Sequence, residues 1–345
     1  KENYTKTMEE KVLADYIIVG TGINSLVCAA VLARSGSRVL LLERNEKPGG
    51  CIRTEEVTLP GFQHDVLSSW HPLFVLSPAY AELGDELHAR GLVYLNTDTP
   101  TGSVTPKGDS VILSTNRDVN IGNFNSYSTK DGEGYLKSVA AIENSADLTF
   151  GLLGSELRRF KTLVLVLREI RKRGFQGTIE FFGEAMGSCK DWLESHFESS
   201  MIQTLFAPWI LHTGLTPEAT LSGHMGKLIA FSLESAGMPV VKGGSYELVE
   251  AFKKLIEDHG GSITCSVDVD QILVKKGRAT GVSATDGQEF GALKGVICNV
   301  TPTQLYGRML NKQTIDKNIL KSASQFRYGR ADMQIHLALD SPPQW

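Results

Sequence analysis

The sequence has no C-x-x-C pair. Its five cysteines, Cys28, Cys51, Cys189, Cys265 and Cys298, are odd in number and widely spaced. That excludes a paired-cysteine zinc site and a redox disulfide working beside a cofactor, and it reads as a reduced, intracellular chain. Positive charge is not in excess. The 35 Lys and Arg against 39 Asp and Glu leave a net charge of −4, which excludes a chain that lives on nucleic-acid phosphates. Long unbroken apolar runs are missing too. Residues 16–33 carry no charge but are interrupted by Gly20, Thr21, Gly22, Asn24 and Ser25, and residues 199–217 by Gln203, Pro208, His212 and Gly214. A spanning helix needs about 20 predominantly apolar residues, so a soluble, cytoplasmic protein without a cleaved leader is expected. Neither G-x-S-x-G nor a P-loop occurs, which leaves hydrolase and NTPase readings unsupported. No His or Cys cluster has ligand spacing, so no metal site is expected.

What is present is an ordinary globular composition, 41% hydrophobic and 21% charged, with enough length for two domains and one sizeable core. Glycine is enriched, at 34 of 345 residues, and the glycines carry the information.

Residues 1–14 read as a polar N-terminal arm. Residues 16–19 are a short β-branched run, typical of a strand buried on both faces. Residues 20–24 form a turn, residues 25–34 a helix stopped at Ser35-Gly36, and residues 38–43 (RVLLLE) a second buried strand. This is a βαβ unit of roughly 30 residues. From about Glu133 to Leu233 the period becomes helical, with segments at 135–142, 157–171, 178–186 and 190–197. This block holds Phe150, Phe160, Phe175, Phe181, Phe182, Trp192, Phe206 and Trp209. Strand and helix patterning then returns, with a glycine turn at 240–246, a helix at 247–259 and strands at 262–267, 271–275, 279–284 and 295–299. The order predicts an α/β nucleotide-binding domain split in sequence (15–100 plus 236–302), with a helix-rich α+β substrate domain inserted (101–235 plus 303–345).

The strongest motif is Gly20-Thr21-Gly22-Ile23-Asn24-Ser25, placed between strand and helix. The first glycine permits the tight turn, the second lets the backbone approach a diphosphate, and the third position sets how closely helix and strand pack. Here the third position is Ser25, a small residue. The helix N-terminus offers free N–H groups and a positive dipole to phosphate. Glu43 follows Gly22 by 21 residues, where an acid bonds ribose hydroxyls. A carboxylate there repels a 2′-phosphate, which removes NADP and leaves FAD or NAD.

Beyond Glu43 runs Arg44-Asn45-Glu46-Lys47-Pro48-Gly49-Gly50-Cys51-Ile52-Arg53-Thr54. Its double glycine and Arg53 can bring backbone and guanidinium to a diphosphate. With the GTGINS turn, LLERNEKPGG, IRT and PGFQHDVLSSWHPLF, residues 15–70 resemble the FAD-dependent phytoene desaturase-like family, within the amine oxidase and GDP-dissociation-inhibitor type of flavoprotein. PVVKGGSYEL (239–248) is similar to that family's second glycine turn, and Ser266-Val267-Asp268-Val269 to the strand whose backbone meets the adenine. The resemblance implies a Rossmann-like fold of the glutathione-reductase type and non-covalent FAD held through Gly20, Gly22, Ile23, Asn24, Ser25, Glu43, Arg44, Gly49, Gly50, Arg53 and Val269. It also implies hydride transfer between an apolar unsaturated substrate and flavin N5. The family closes over the isoalloxazine with a further glycine-rich segment. None is found before Trp345, so that segment is expected to be absent from this chain.

Catalytic candidates are fewer. His212, in an apolar stretch, is a candidate proton acceptor after hydride loss, and His224 follows it. His64 and Asp65 sit in the segment expected near the flavin, as does His71. Residues 160–170 (FKTLVLVLREI), flanked by Arg158, Arg159, Arg168, Arg171 and Arg173, read either as a buried helix with solvated arginines or as a peripheral membrane contact admitting lipid-soluble substrate. The expected partners are a hydrophobic small molecule, no nucleic acid, and at most a membrane surface and a second copy of the chain. Two further readings stay open: a lyase or isomerase using reduced FAD without net redox, and a non-catalytic carrier of lipid or prenyl groups.

Overall fold

The computed structural model describes residues 12–154, 159–311, 315–329 and 333–342. The described chain divides into two compact units. One comprises residues up to Leu95, Val240–Tyr328 and the stretch from Gln334. The other comprises Asn96–Pro239 with Gly329–Met333.

The first unit is built on a six-stranded sheet. Its order is Val269–Lys275, Arg278–Ala284, Glu289–Cys298, Val12–Val19, Val39–Leu42, Ser262–Thr264. Val12–Val19 runs parallel to both neighbours, with Ile17 opposite Leu40 on one side and Val296 on the other. Ser262–Thr264 extends the parallel set, and the three strands from Val269 to Cys298 form an antiparallel meander at the other end.

The apolar runs in the first two strands are continuous because both faces are covered. Ile18, Val39 and Leu41 face one core with Leu26, Ala29, Ala30 and Ala33 of the helix Ile23–Arg34 and Leu248, Val249, Phe252 and Ile256 of the helix Tyr246–Asp258. Ile17, Val19, Leu40 and Leu42 face the other, with Val267, Val269, Ile272 and Val282. The small side chains of Ala29, Ala30 and Ala33 let the first helix lie close on the sheet. The sheet is thus of the mixed α/β, Rossmann-like kind.

The second unit is helical and, among the described residues, has one hairpin, Thr101–Val104 paired to Ser110–Leu113. Its helices include Thr129–Leu153, Phe160–Ala185, Cys189–His196, Ser200–His212 and Ser222–Ala236. The two sequence segments 157–171 and 178–186 lie in one element, Phe160–Ala185, bent at Gly174 where φ is 77°; Leu157 and Arg158 lie outside the described residues. Phe124, Tyr135, Trp192, Phe197 and Phe206 form one cluster with ring separations of 5.0–6.1 Å. These rings are part of the unit's own core, whereas Phe150, Phe160 and Phe175 are exposed.

One boundary differs from the sequence reading. Residues 303–328 and those from 334 group with the first unit, not with the helical one. The reason is local. The Arg308 guanidinium donates to the Val269 carbonyl at 3.1 Å and pairs with Asp268 at 3.4 Å. Gln334 Nε2 donates to the Asp65 carbonyl at 3.1 Å.

Candidate functional site

A cleft of about 410 Å³ opens at the carboxyl ends of the two central strands, where ligands bind in open α/β sheets. Val19, Gly20, Thr21 and Gly22 form one wall. Leu42, Glu43, Arg44 and Asn45 form the second, Gly50 and Cys51 the third, and Val267, Asp268 and Val269 the fourth. Asn299–Thr301, Gln304, Arg308 and Met309 close it.

The first glycine loop is a turn that only Gly20 suits. Its φ is 89°, and its N–H donates to the Leu42 carbonyl at 2.9 Å. Gly22 is the N-cap of Ile23–Arg34. That helix has no side-chain cap at its start and no acid in its first turn. Its first amides therefore remain available, and no acid of the helix's own first turn competes for the dipole, which favours holding an anion there. Ile23 is half-buried against the core and Asn24 is exposed. Ser25 is buried, and its hydroxyl accepts from Asn299 Nδ2 at 3.1 Å.

The second glycine loop folds onto the first. A Cβ on Gly50 would stand 3.1 Å from Gly22 Cα, and one on Gly49 would collide with the Ile52 carbonyl at 2.7 Å. Two backbones with no side chains between them thus face one space, as a diphosphate requires.

Glu43 is only 5% exposed, at the end of its strand. Its Oε2 accepts from Thr21 N at 3.1 Å and Thr21 Oγ1 at 2.5 Å; its Oε1 accepts from Asn45 N at 3.1 Å and Asn45 Nδ2 at 2.7 Å. The carboxylate is held in place on both oxygens. Val269 lies on the opposite side, 2% exposed.

The remaining candidates are placed elsewhere. Arg53 does not line the cleft. It forms a fork-on-fork pair with Glu55 at 2.7 and 2.8 Å. Asp65 Oδ1 accepts from Thr54 Oγ1 at 2.7 Å and Ser245 N at 2.8 Å, so it ties the strand pair at Thr54 and Asp65 to the glycine turn before the helix Tyr246–Asp258. His64 bonds the Thr58 hydroxyl at 2.7 Å. His71 is buried, and desolvation lowers its pKa against the opposing charge of Asp65. In the second unit His212 is the exposed last residue of Ser200–His212, edge-on to Trp209 at 6.0 Å. His224 is half-buried, bonded to Thr149 at 3.2 Å, and its pKa is lowered by desolvation. Among the described residues no group of three His, Cys, Asp or Glu could hold a metal ion.

Thr21, Asn45, Asn299, Gln304 and Arg308 were not singled out in the sequence. Thr21 and Asn45 stand inside the glycine motifs, but at positions those motifs leave open. Asn299 and Arg308 lie over 250 residues from the first loop, and only the sheet order brings them there.

The residues present fit an adenine dinucleotide. Two glycine loops and a helix start face one space, an acid stands at ribose distance along the chain, and apolar Val267 and Val269 oppose them. Comparison with known proteins agrees. A model of the NAD(P)-binding Rossmann-like domain matches residues 18–87. A limonene dehydrogenase polypeptide of Castellaniella defragrans is 24% identical over 98% of this chain and 62% of its own length. The mouse protein called pyridine nucleotide-disulfide oxidoreductase domain-containing protein 2 is 25% identical over 96% of the chain and 61% of its own. Hydroxyneurosporene desaturase of Rubrivivax gelatinosus is 26% identical over 80% and 51%. The chain thus spans about three fifths of the length of the first two. Among solved structures, an oxidoreductase from Methanosarcina mazei superposes with a TM-score of 0.60 at 17% identity, over 90% of this chain and 64% of the other. A putrescine oxidase variant superposes with a TM-score of 0.59 at 16% identity, over 91% and 63%. Two of these sequence relatives are named a dehydrogenase and a desaturase, and the fold resembles that of a putrescine oxidase.

Proposed function

We propose that this chain is the dinucleotide-binding and substrate-facing part of an FAD-dependent oxidoreductase of the phytoene desaturase-like kind. The observation that carries this reading is the cleft, with its paired glycine loops and anchored Glu43. The names of the sequence relatives, which speak of limonene and of hydroxyneurosporene, support an apolar unsaturated substrate. Bound FAD would supply hydride acceptance at N5. The chain's own residues bind and orient it. The amides of the Ile23 helix start and the Gly49-Gly50 loop hold the diphosphate, Glu43 the adenosine ribose, and the Val269 backbone the adenine edge. Arg44, which lines the cleft, adds positive charge beside the diphosphate. Asp65 positions the glycine turn at Gly243-Gly244 through Ser245. His212 is the proposed proton acceptor of the helical unit, which is the proposed substrate domain.

The test is a visible spectrum of the purified protein with identification of the released chromophore, followed by FAD titration. Glu43→Ala removes a charged acceptor from the ribose and leaves the Thr21 hydroxyl without its carboxylate. Each such bond contributes roughly 1–3 kcal/mol, so FAD affinity should fall at least about tenfold. Equal retention of FAD by parent and variant would show that Glu43 does not touch the cofactor.

Among the described residues no helix is long and apolar enough to cross a membrane. One helix face suits a membrane surface instead. Phe160, Leu163, Val164 and Leu167 share one face and are 47–78% exposed, and Arg168, Arg171 and Lys172 lie exposed just beyond them. We propose that this stripe rests on anionic lipid and brings the protein to a lipid-soluble substrate. Co-sedimentation with phosphatidylglycerol vesicles should be seen for the parent and lost in Leu163→Glu/Leu167→Glu. Sedimentation unaffected by the double change would place the contact elsewhere.

A further inference from the structure

We infer that Thr21 is a positioning residue for the dinucleotide: one buried hydroxyl that locks the ribose-binding carboxylate and the second glycine loop into a single rigid cradle. The inference rests on the proposed binding of an adenine dinucleotide and extends it to a residue at a position the glycine motif leaves open.

Thr21 is fully buried. Its hydroxyl has one hydrogen to give, and it donates to Glu43 Oε2 at 2.5 Å. The hydroxyl oxygen itself, Thr21 Oγ1, accepts the Gly49 N–H at 3.0 Å. Its backbone N–H donates to the same carboxylate oxygen at 3.1 Å. Three chain segments, 28 residues apart at the extremes, therefore meet on one side chain. The consequence for Gly49 is direct. Its φ of 119° is one that few other residues adopt, and the space around its Cα is filled by the Ile52 carbonyl and Val249. An amide buried in that position needs an acceptor, and Thr21 Oγ1 supplies it. Once Gly49 is pinned, Gly50 is set against Gly22 with no room for a side chain between them. The width of the diphosphate space is thus set by Thr21.

The hydroxyl is also what makes Glu43 a fixed acceptor. Thr21 holds Oε2, and Asn45 holds Oε1 through its amide and side chain. A carboxylate held this way does not lose rotamer freedom when a ribose arrives, so less of the binding energy is lost to ordering. Valine has nearly the shape of threonine but lacks the hydroxyl, so Thr21→Val tests the bonds with little change in packing. Serine keeps the hydroxyl and drops only a methyl group.

The experiment is calorimetric titration of the full chain with ADP, which carries the adenosine ribose and the diphosphate but no flavin. It is combined with amide hydrogen exchange at Gly49. Thr21→Val should bind ADP about tenfold or more weakly than the parent, since two hydrogen bonds in a dry site are lost. Gly49 should lose exchange protection in the same variant, and Thr21→Ser should restore both. Parent-like ADP affinity in Thr21→Val, or equal losses in Thr21→Ser and Thr21→Val, would overturn the positioning role while leaving the dinucleotide reading standing. Failure of the parent itself to bind ADP would overturn both. Should Thr21→Val not fold, Thr21→Ser decides. Parent-like affinity with a protected Gly49 amide supports the role, and weakened affinity with that amide still protected overturns it.

Discussion

A Gly22→Val chain is expected to fold as the parent does and to hold no dinucleotide. The two halves of that expectation come from different observations. Gly22 has φ −61° and ψ 167°, which any residue can adopt. A Cβ built there meets nothing nearer than Asn299 Nδ2, at 3.7 Å. The chain therefore loses little beyond the difference between a glycine and a valine N-cap, about 1 kcal/mol. The ligand loses the space. Gly22 lines the cleft beside Gly50, and two γ-methyls would stand where a diphosphate must approach the helix amides. If two charge-assisted bonds at roughly 1.5–3 kcal/mol each are lost, ADP binding weakens by about a hundredfold to beyond detection. Titration calorimetry measures the binding, and circular dichroism with thermal melting checks the fold. A variant that binds ADP like the parent places the diphosphate away from this loop. Gly49 would not serve for this test, because its φ and its contact with the Ile52 carbonyl make any substitution a folding defect first.

Glu234→Ala should destabilise the helical unit by about 2–4 kcal/mol, a sizeable part of the 5–15 kcal/mol typical of a folded domain. Glu234 is 6% exposed on the helix Ser222–Ala236. One of its oxygens accepts from Arg117 Nε at 2.8 Å. The other accepts from the Tyr135 hydroxyl at 2.5 Å and Asn120 Nδ2 at 3.2 Å. Arg117 also reaches Glu143 at 2.7 Å. Burial, and then the bond to Glu234, push the Tyr135 pKa up, and the bonds to Glu143 and Glu234 push that of Arg117 up. Removing the carboxylate leaves a buried phenol and a buried amide without this acceptor, and takes one of two anions from Arg117. Urea unfolding followed by tryptophan fluorescence in a Trp70→Phe background weights the signal to this unit, since Trp192 sits in its core. A loss below about 1 kcal/mol would mean that water replaces the carboxylate and that the network is incidental.

The βαβ unit was legible because local signals agreed. A β-branched run, a glycine turn, an alanine-rich helix and a second apolar run specify one arrangement. The strands at 271–275 and 279–284 and the helix at 247–259 were legible for the same reason, with ends displaced by one or two residues. Arg53 was legible only as a spacing after the double glycine; its pairing with Glu55, two residues on, needed the structure. The partners of Asp65, Thr54 and the amide of Ser245, were not legible, because Ser245 lies 180 residues away.

Local sequence was enough to specify a strand, a glycine turn and a helix presenting backbone amides, with an acid 21 residues beyond Gly22. These are properties of neighbouring residues, and short-range sterics and periodicity suffice to produce them. What anchors that acid, what sets the gap between the glycine loops, and which distant residues complete the cleft were settled by long-range folding. Thr21, Gly49, Asn299 and Arg308 come together because a parallel sheet joins strands from opposite ends of the chain, and no local preference encodes that pairing.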